Sequence, residues 1–181
     1  MIVRSAYART ERERRFLCAA PPPDADVVRR RLITDRYLDG TRLRLRTVEE
    51  VDRSGPAVHK LTQKLPGEPW GELTTIYVST SEHALLATLP AAVLTKERRS
   101  VPPLGYDVFR GALTGLVLAE AEFTDDASAA AFEAPAGLHE VTRDRRFSGG
   151  VLVRTDPAQI LQAAQDVLRA RTAGSHGHGD D

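Results

Sequence analysis

The sequence predicts an α+β protein: an eight-stranded antiparallel β-barrel with peripheral helices. Five separate segments repeat charged residues with a period of two, the period that places them on one face of a strand. About eight strand-like segments follow one another through mostly short, turn-rich connections, which suit antiparallel neighbours. The longest helical periodicity comes last, over residues 156–171, as expected of helices on the periphery of a closed sheet.

The first strand is expected over Ala8 to Cys18, followed by a connector with Pro21, Pro22 and Pro23, since proline removes a ladder donor. A short helix is expected from Ala25 to Arg31. The strands Ile33 to Leu38 and Thr41 to Glu49 meet at Asp39-Gly40, a hairpin signal. Strands follow at Ala57 to Leu65 and Leu73 to Val78, separated by Pro66-Gly67 and Pro69. Ser79 with Glu82 forms a capping-box pattern and predicts a helix from Thr80 to Thr88. Further strands are expected at Val93 to Val101, Tyr106 to Gly111 and Leu116 to Phe123, then a short helix over Ala127 to Phe132. Gly149-Gly150 reads as a turn or bulge. Asp156-Pro157 opens a last helix reaching Arg171, with Ile160, Leu161, Ala164, Val167 and Leu168 at helical spacing.

The 181 residues suffice for one domain and one sizeable core. The expected domain spans residues 1–172, followed by an unstructured Gly/His/Asp-rich tail over 173–181. Lys plus Arg and Asp plus Glu each total 25. This balance argues against bulk electrostatic binding to nucleic acid or an anionic membrane. Cys18 is the only cysteine, so there is no intramolecular disulfide, which fits a reducing compartment. There is no membrane-spanning apolar run and no signal-peptide pattern. The expected localisation is cytoplasmic. Monomer and homodimer both stay open.

Glu11, Glu13 and Arg15 share one strand face, and Arg12 and Arg14 the other. Neither face can enter an apolar core without partners. An exposed, charge-decorated edge strand is one arrangement. Five such strands carrying both signs suggest a second, with the charges turned inward into a wet barrel. That interior suits a polyphosphate bound with a divalent metal. Carboxylates two residues apart lie about 7 Å from one another along a strand, a spacing suited to sharing hard cations.

The segment around Glu11, Glu13 and Arg15, continuing into Phe16-Leu17, resembles the Glu-x-Glu-x-Lys signature of the CYTH superfamily, the triphosphate tunnel metalloenzymes. Leu43-Arg44-Leu45-Arg46 is similar to the family's Leu-Arg-x-Arg strand, Leu61-Thr62-Gln63-Lys64 to its Thr-x-Lys strand, and Lys96-Glu97-Arg98 to its Lys-x-Arg strand. Asp107-Val108-Phe109 and Gly115 to Glu122 resemble its Asp-x-Phe and Gly-Leu-x-x-Ala-Glu-x-Glu run. Val141-Thr142-Arg143-Asp144 with Phe147 resembles its late Val-Thr-x-Asp block.

The resemblance implies an eight-stranded tunnel that binds triphosphates with Mg²⁺ or Mn²⁺. It implies metal-site acids at Glu11, Glu13, Glu120, Glu122 and Asp144. It places phosphate contacts at Arg15, Arg44, Arg46, Lys64, Lys96 and Arg98, and catalytic roles at Glu11, Glu13 and Arg15. Lys60 shares the parity of Lys64 without a motif of its own. The chemistry is apt: Arg can fork onto phosphate oxygens, Lys supplies a point charge, and magnesium bridges carboxylate and phosphate.

Three positions depart from the family pattern. Arg15 replaces a lysine, Gly105 stands where a glutamate is common, and Glu72 to Val78 reads ELTTIYV in place of alternating Arg and Glu. The leading expectation is a metal-dependent triphosphate hydrolase. The alternatives are a non-catalytic polyphosphate- or nucleotide-binding module and a class IV-type adenylate cyclase. Cys18, His59 and His139 read as structural, and His176 and His178 as part of the solvated tail.

Overall fold

The computed structural model describes residues 6–174. Nine strands form in chain order: β1 (Arg9–Cys18), β2 (Arg29–Leu38), β3 (Leu43–Glu50), β4 (Val58–Leu65), β5 (Gly71–Val78), β6 (Ala91–Val101), β7 (Leu104–Phe109), β8 (Val117–Phe123) and β9 (Leu138–Glu140). Four α-helices accompany them: α1 (Thr80–Leu86), α2 (Asp126–Ala131), α3 (Gly149–Leu152) and α4 (Pro157–Gly174). Adjacent strands run antiparallel in the order β5-β4-β3-β2-β6-β7-β8-β1, and β1 also pairs with β5 through Arg9–Leu73 and Glu11–Gly71. That pairing closes an eight-stranded barrel and removes the open sheet edges. β9 adds to the end of β1, opposite Phe16, Leu17 and Cys18.

Most expected elements form within a few residues of their expected bounds. The helix expected over 25–31 does not. Only Asp24–Asp26 makes a 3-10 turn, and β2 starts at Arg29. The reason is pairing: β2 is laddered along its whole length to β6, from Arg29 opposite Ser100 to Leu38 opposite Ala91. Gly149 and Gly150 open helix α3 rather than a bulge. A Cβ on Gly149 would overlap the Tyr37 hydroxyl, so glycine there lets α3 pack closely on β2. The expected tail overlaps the end of α4, and the rest of it, with His176 and His178, lies outside the described residues.

Both halves of the Ser79/Glu82 capping box are present, with Glu82 N–H donating to Ser79 Oγ at 3.2 Å and Ser79 N–H to Glu82 Oε2 at 2.7 Å. Ser79→Ala is expected to cost about 1 kcal/mol, read as a slightly lower urea midpoint with unchanged m-value. An unchanged midpoint would show that α1 is held by its packing instead.

Two apolar clusters flank the barrel. Inward-facing Leu17, Leu94, Phe109 and Leu118 join Phe147, Leu152 and Ile160 from the C-terminal elements. They plug one end of the barrel, which is therefore a cup. Outside it, Phe16, Leu104, Val117 and Ala119 pack with Phe132 and Leu138. Cys18 belongs to this outer cluster, and burial pushes its thiol up to about 12, so it is a core residue rather than a nucleophile. Among the described residues no helix is long and apolar enough to cross a membrane.

Candidate functional site: a charged barrel interior

Residues directly opposite one another on antiparallel strands point to the same face. Arg15 lies opposite Glu120, and Glu13 opposite Glu122. Arg98 lies opposite Asp107, and Asp35 opposite Arg46. Arg46 also faces Lys60, Arg44 faces Thr62, and Arg31 faces Arg98. The registers thus place charges from seven strands on one face, and the ion pairs among them show that this face is the interior.

Asp107 is fully buried and is the hub of one half. It binds Lys96, and accepts two bonds from Arg98, Nε to Oδ1 and Nη2 to Oδ2, each 2.7 Å. Arg98 reaches on to Glu120. Arg15 then bridges Glu120, at 3.3 Å from Nε, to Glu13. Lys64 Nζ closes the series on Glu11 Oε2 at 2.5 Å.

In the other half, Arg46 forks onto Asp35 at 2.6 and 2.8 Å, and Asp35 is 1 % exposed. Arg44 Nε approaches the same carboxylate at 3.5 Å without hydrogen-bond geometry, and that buried nitrogen has no hydrogen-bond partner among the described residues. Lys60 lies over the Tyr77 ring, 5.1 Å from its centroid. A cavity of about 260 Å³ opens beside Arg31, Arg98, Ser100, Gly105, Glu120 and Glu122.

The expected residues Glu11, Glu13, Arg15, Arg44, Arg46, Lys64, Lys96, Arg98 and Glu120 thus lie in this series of contacts. Glu122 lies on the cavity wall, exposed, and opposite Glu13. Asp144 is placed differently: it caps the 3-10 turn Arg145–Phe147 and binds Arg146 Nη2 at 2.6 Å. Among the described residues, no three His, Cys, Asp or Glu side chains converge as a preformed metal cage.

Electrostatics split the neighbouring carboxylates. Burial raises Glu13, and the nearby Glu120 charge raises it further, against Arg15, so it is pushed up to about 7. Burial alone would raise Glu120 as well, but Arg98, Lys96 and Arg15 outweigh it and hold Glu120 well below the usual range. Asp35 is likewise buried yet lowered, because Arg46 and Arg44 overcome its desolvation. The positive counterparts of one acid are thus settled, while Glu13 stays under-compensated.

The other face of β1 explains how a strand can be charged on both sides. Arg12 pairs with Asp126 at 2.6 Å. Arg14 forks onto Glu140 at 3.0 and 2.7 Å and also donates to the Ala129 and Phe132 carbonyls. His59 stacks on His83, with centroids 4.0 Å apart, and both rings bond Thr47. His139 sits on β9 opposite Leu17.

Two solved structures share this architecture. One is a crystal structure of the hypothetical protein NE1496, with a TM-score of 0.54 and 26% identity, covering 82% of this chain and 100% of that one. The other is the crystal structure of the inorganic triphosphatase NE1496, with a TM-score of 0.53 and 25% identity, covering 81% and 96%. The fold resembles that of the CYTH triphosphate tunnel proteins. No family model matches the chain, and no curated protein matches it. The CYTH-like motifs on β1, β3, β4, β6, β7 and β8 thus turn their charged side chains to the inner face of a closed barrel, whereas the Val141–Asp144 block follows β9.

Sequence reasoning missed Asp35, Asp107 as a hub, and Arg31. Parity was the available signal: Arg31, Asp35 and Tyr37 alternate on β2, and Asp35 faces Arg46 once the hairpin is formed.

Proposed function

We propose that this barrel binds and hydrolyses triphosphates in the presence of Mg²⁺ or Mn²⁺. The observation that carries this reading is the interior itself: guanidinium and ammonium groups from β1, β2, β3, β4 and β6 share one inner face, Arg31 and Arg98 line a cavity there with Glu120 and Glu122, and the under-compensated Glu13 stands opposite Glu122. Buried cations cost free energy unless an anion meets them. Among the described residues, the buried Nε atoms of Arg31 and Arg44 have no hydrogen-bond partner, and each is a donor that a phosphate oxygen can accept from.

The acidic residues fit a hard cation. Glu13 faces Glu122 across β1 and β8, with Glu11 two residues away on the same face. Carboxylate oxygens are the donors Mg²⁺ and Mn²⁺ take, and Glu13 is the carboxylate most in need of positive charge. In this reading Glu11, Glu13, Glu120 and Glu122 are the available ligands. When bound, the ion neutralises phosphate charge during transfer. Arg44, Arg46, Lys64, Lys96 and Arg98 bind and orient the phosphoryl groups for attack by water. Arg15 stays protonated and acts as a charge, not a base.

The test is phosphate release from tripolyphosphate, ATP and thiamine triphosphate with each metal. Release from at least one supports hydrolysis. Tight binding with no release favours the second reading, a polyphosphate-binding module. One observation favours that second reading: Arg15 already clasps Glu13 and Glu120, occupying oxygens a catalytic metal would use.

Binding separates from folding at Arg44. Tripolyphosphate is expected to raise the melting temperature by mass action on the folded state. Arg44→Ala should shrink that rise while the ligand-free protein melts near or above wild type, since the group lost is an incompletely paired buried charge. A full ligand-induced rise in the variant would remove Arg44 from the phosphate site.

A further inference from the structure

Arg31 belongs to none of the motifs that suggested the site. It stands opposite Glu50 on β3. That carboxylate is taken by Arg29, which forks onto it with Nε at 2.9 Å and its Nη2 on the second oxygen. On its other side Arg31 faces Arg98. Directly opposed like charges on neighbouring strands destabilise a sheet. Arg98 is satisfied by Asp107 and Glu120, so it has no carboxylate to share.

What remains for Arg31 among the described residues is one long bond, Nη2 to Ser100 Oγ at 3.4 Å. Its buried Nε has no hydrogen-bond partner among them. Burial, Arg29 and Arg98 all disfavour its charge. The same side chain lines the cavity of about 260 Å³ together with Arg98, Ser100, Gly105 and the carboxylates of Glu120 and Glu122, which a divalent cation on the phosphoryl group would neutralise. Arg98 lies directly over Gly105, its Cδ within van der Waals reach of where a Cβ would stand.

We propose that Arg31 is a further phosphate-contacting residue, forking onto a phosphoryl group seated in the Gly105 cavity beside Arg98. The inference rests on the triphosphate reading of the barrel and adds a contact to it. A phosphoryl group has the charge and the several acceptor oxygens that a guanidinium fork with a free Nε requires. It would also screen Arg31 from the opposed Arg98. Ser100 Oγ lies against Arg31 and can hold the fork in plane.

The experiment is calorimetric titration of tripolyphosphate, with Mg²⁺, into wild type, Arg31→Met, Arg31→Lys and Arg44→Ala. Arg31→Met keeps the bulk and removes the charge. It is expected to weaken binding about ten- to hundredfold, the range for one charge-assisted contact, while the ligand-free variant melts at or above the wild-type temperature. Arg31→Lys keeps the charge but not the fork, and should fall between the two. If Arg44→Ala weakens binding while Arg31→Met and Arg31→Lys bind as wild type does, Arg31 is not a phosphate contact and the function stands without it. If wild type binds no tripolyphosphate, both the function and this contact are overturned. If Arg31→Met fails to fold, Arg31→Lys decides: unchanged affinity refutes the forked contact, and a loss of several-fold supports it.

Discussion

Asp107→Asn is expected to lower the melting temperature of the ligand-free protein by roughly 10 °C. Asp107 is fully buried and neutralises both Lys96 and Arg98. Asparagine keeps the volume and one acceptor oxygen but removes the charge. Lys96 is 6 % exposed, so water cannot take over, and Glu120 is already shared between Arg98 and Arg15. Removing one partner of a buried pair costs about 3–5 kcal/mol, because an uncompensated charge stays behind. For a chain of this size each kcal/mol moves the midpoint by about 2–4 °C. Two further arms make the cause specific. Lys96→Met in the Asp107→Asn background should recover part of the loss, since it removes one stranded cation. Tripolyphosphate should recover part as well, since it supplies the missing negative charge. A shift below about 2 °C, or no recovery in either arm, would mean that the network does not hold this part of the barrel together.

The sequence made the faces legible but not the partners. Period two at 11, 13 and 15, at 44 and 46, at 96 and 98, and at 120 and 122 told which side chains lie together, because a strand alternates whatever its neighbour is. Partners depend on register, and register depends on turns. A two-residue turn at Asp39-Gly40 would pair Asp35 with Arg44. The observed turn spans residues 39–42, and Asp35 pairs with Arg46. The face is preserved, because the slip is even, but the ion pair changes. Asp35 and Asp107 escaped notice as site residues because each is a lone acid in its strand, with no charged repeat of its own. Their importance comes from strands that meet only in three dimensions. The arginine run at 29–31 was misread as helical for a related reason. In isolation it is a solvated segment, and only β3 and β6 supply the partners that make it a strand. The apolar plug was half visible. Helical spacing in α4 marked Ile160 and Ala164, whereas nothing in the sequence told that they cap the barrel through Phe109 and Leu118.

Glu13 gives the barrel a pH dependence of unusual sign for a carboxylate. In the unfolded chain a glutamate ionises near 4.5; in the folded barrel Glu13 does so at about 7, because of burial and the charge of Glu120. Between those values the folded state keeps a proton that the unfolded chain has lost. Stability from this group is therefore fully present below about pH 4.5 and is lost as pH rises through 7. The loss is on the order of 1–3 kcal/mol. Glu120 and Asp35 act in the opposite sense below pH 4.5, because their folded values are lowered. His83, held below its ordinary value by burial, His59 and Arg36, also adds stability as pH rises, but equally in wild type and Glu13→Gln, so the difference between the two proteins from pH 5 to 8 reads Glu13. Glu13→Gln keeps an acceptor for Arg15 and cannot ionise. Urea unfolding from pH 5 to 8 without metal should show wild type weakening toward pH 8 and the variant staying flatter, so that the variant is the more stable protein at pH 8. Adding Mg²⁺ at pH 8 should then stabilise wild type more than Glu13→Gln, because only the carboxylate trades its proton for the ion. Parallel pH curves for the two proteins would show that Glu13 is already ionised at pH 5, with Arg15 as its full counter-charge, and would leave the Arg15 bridge as a structural clasp rather than one a metal displaces.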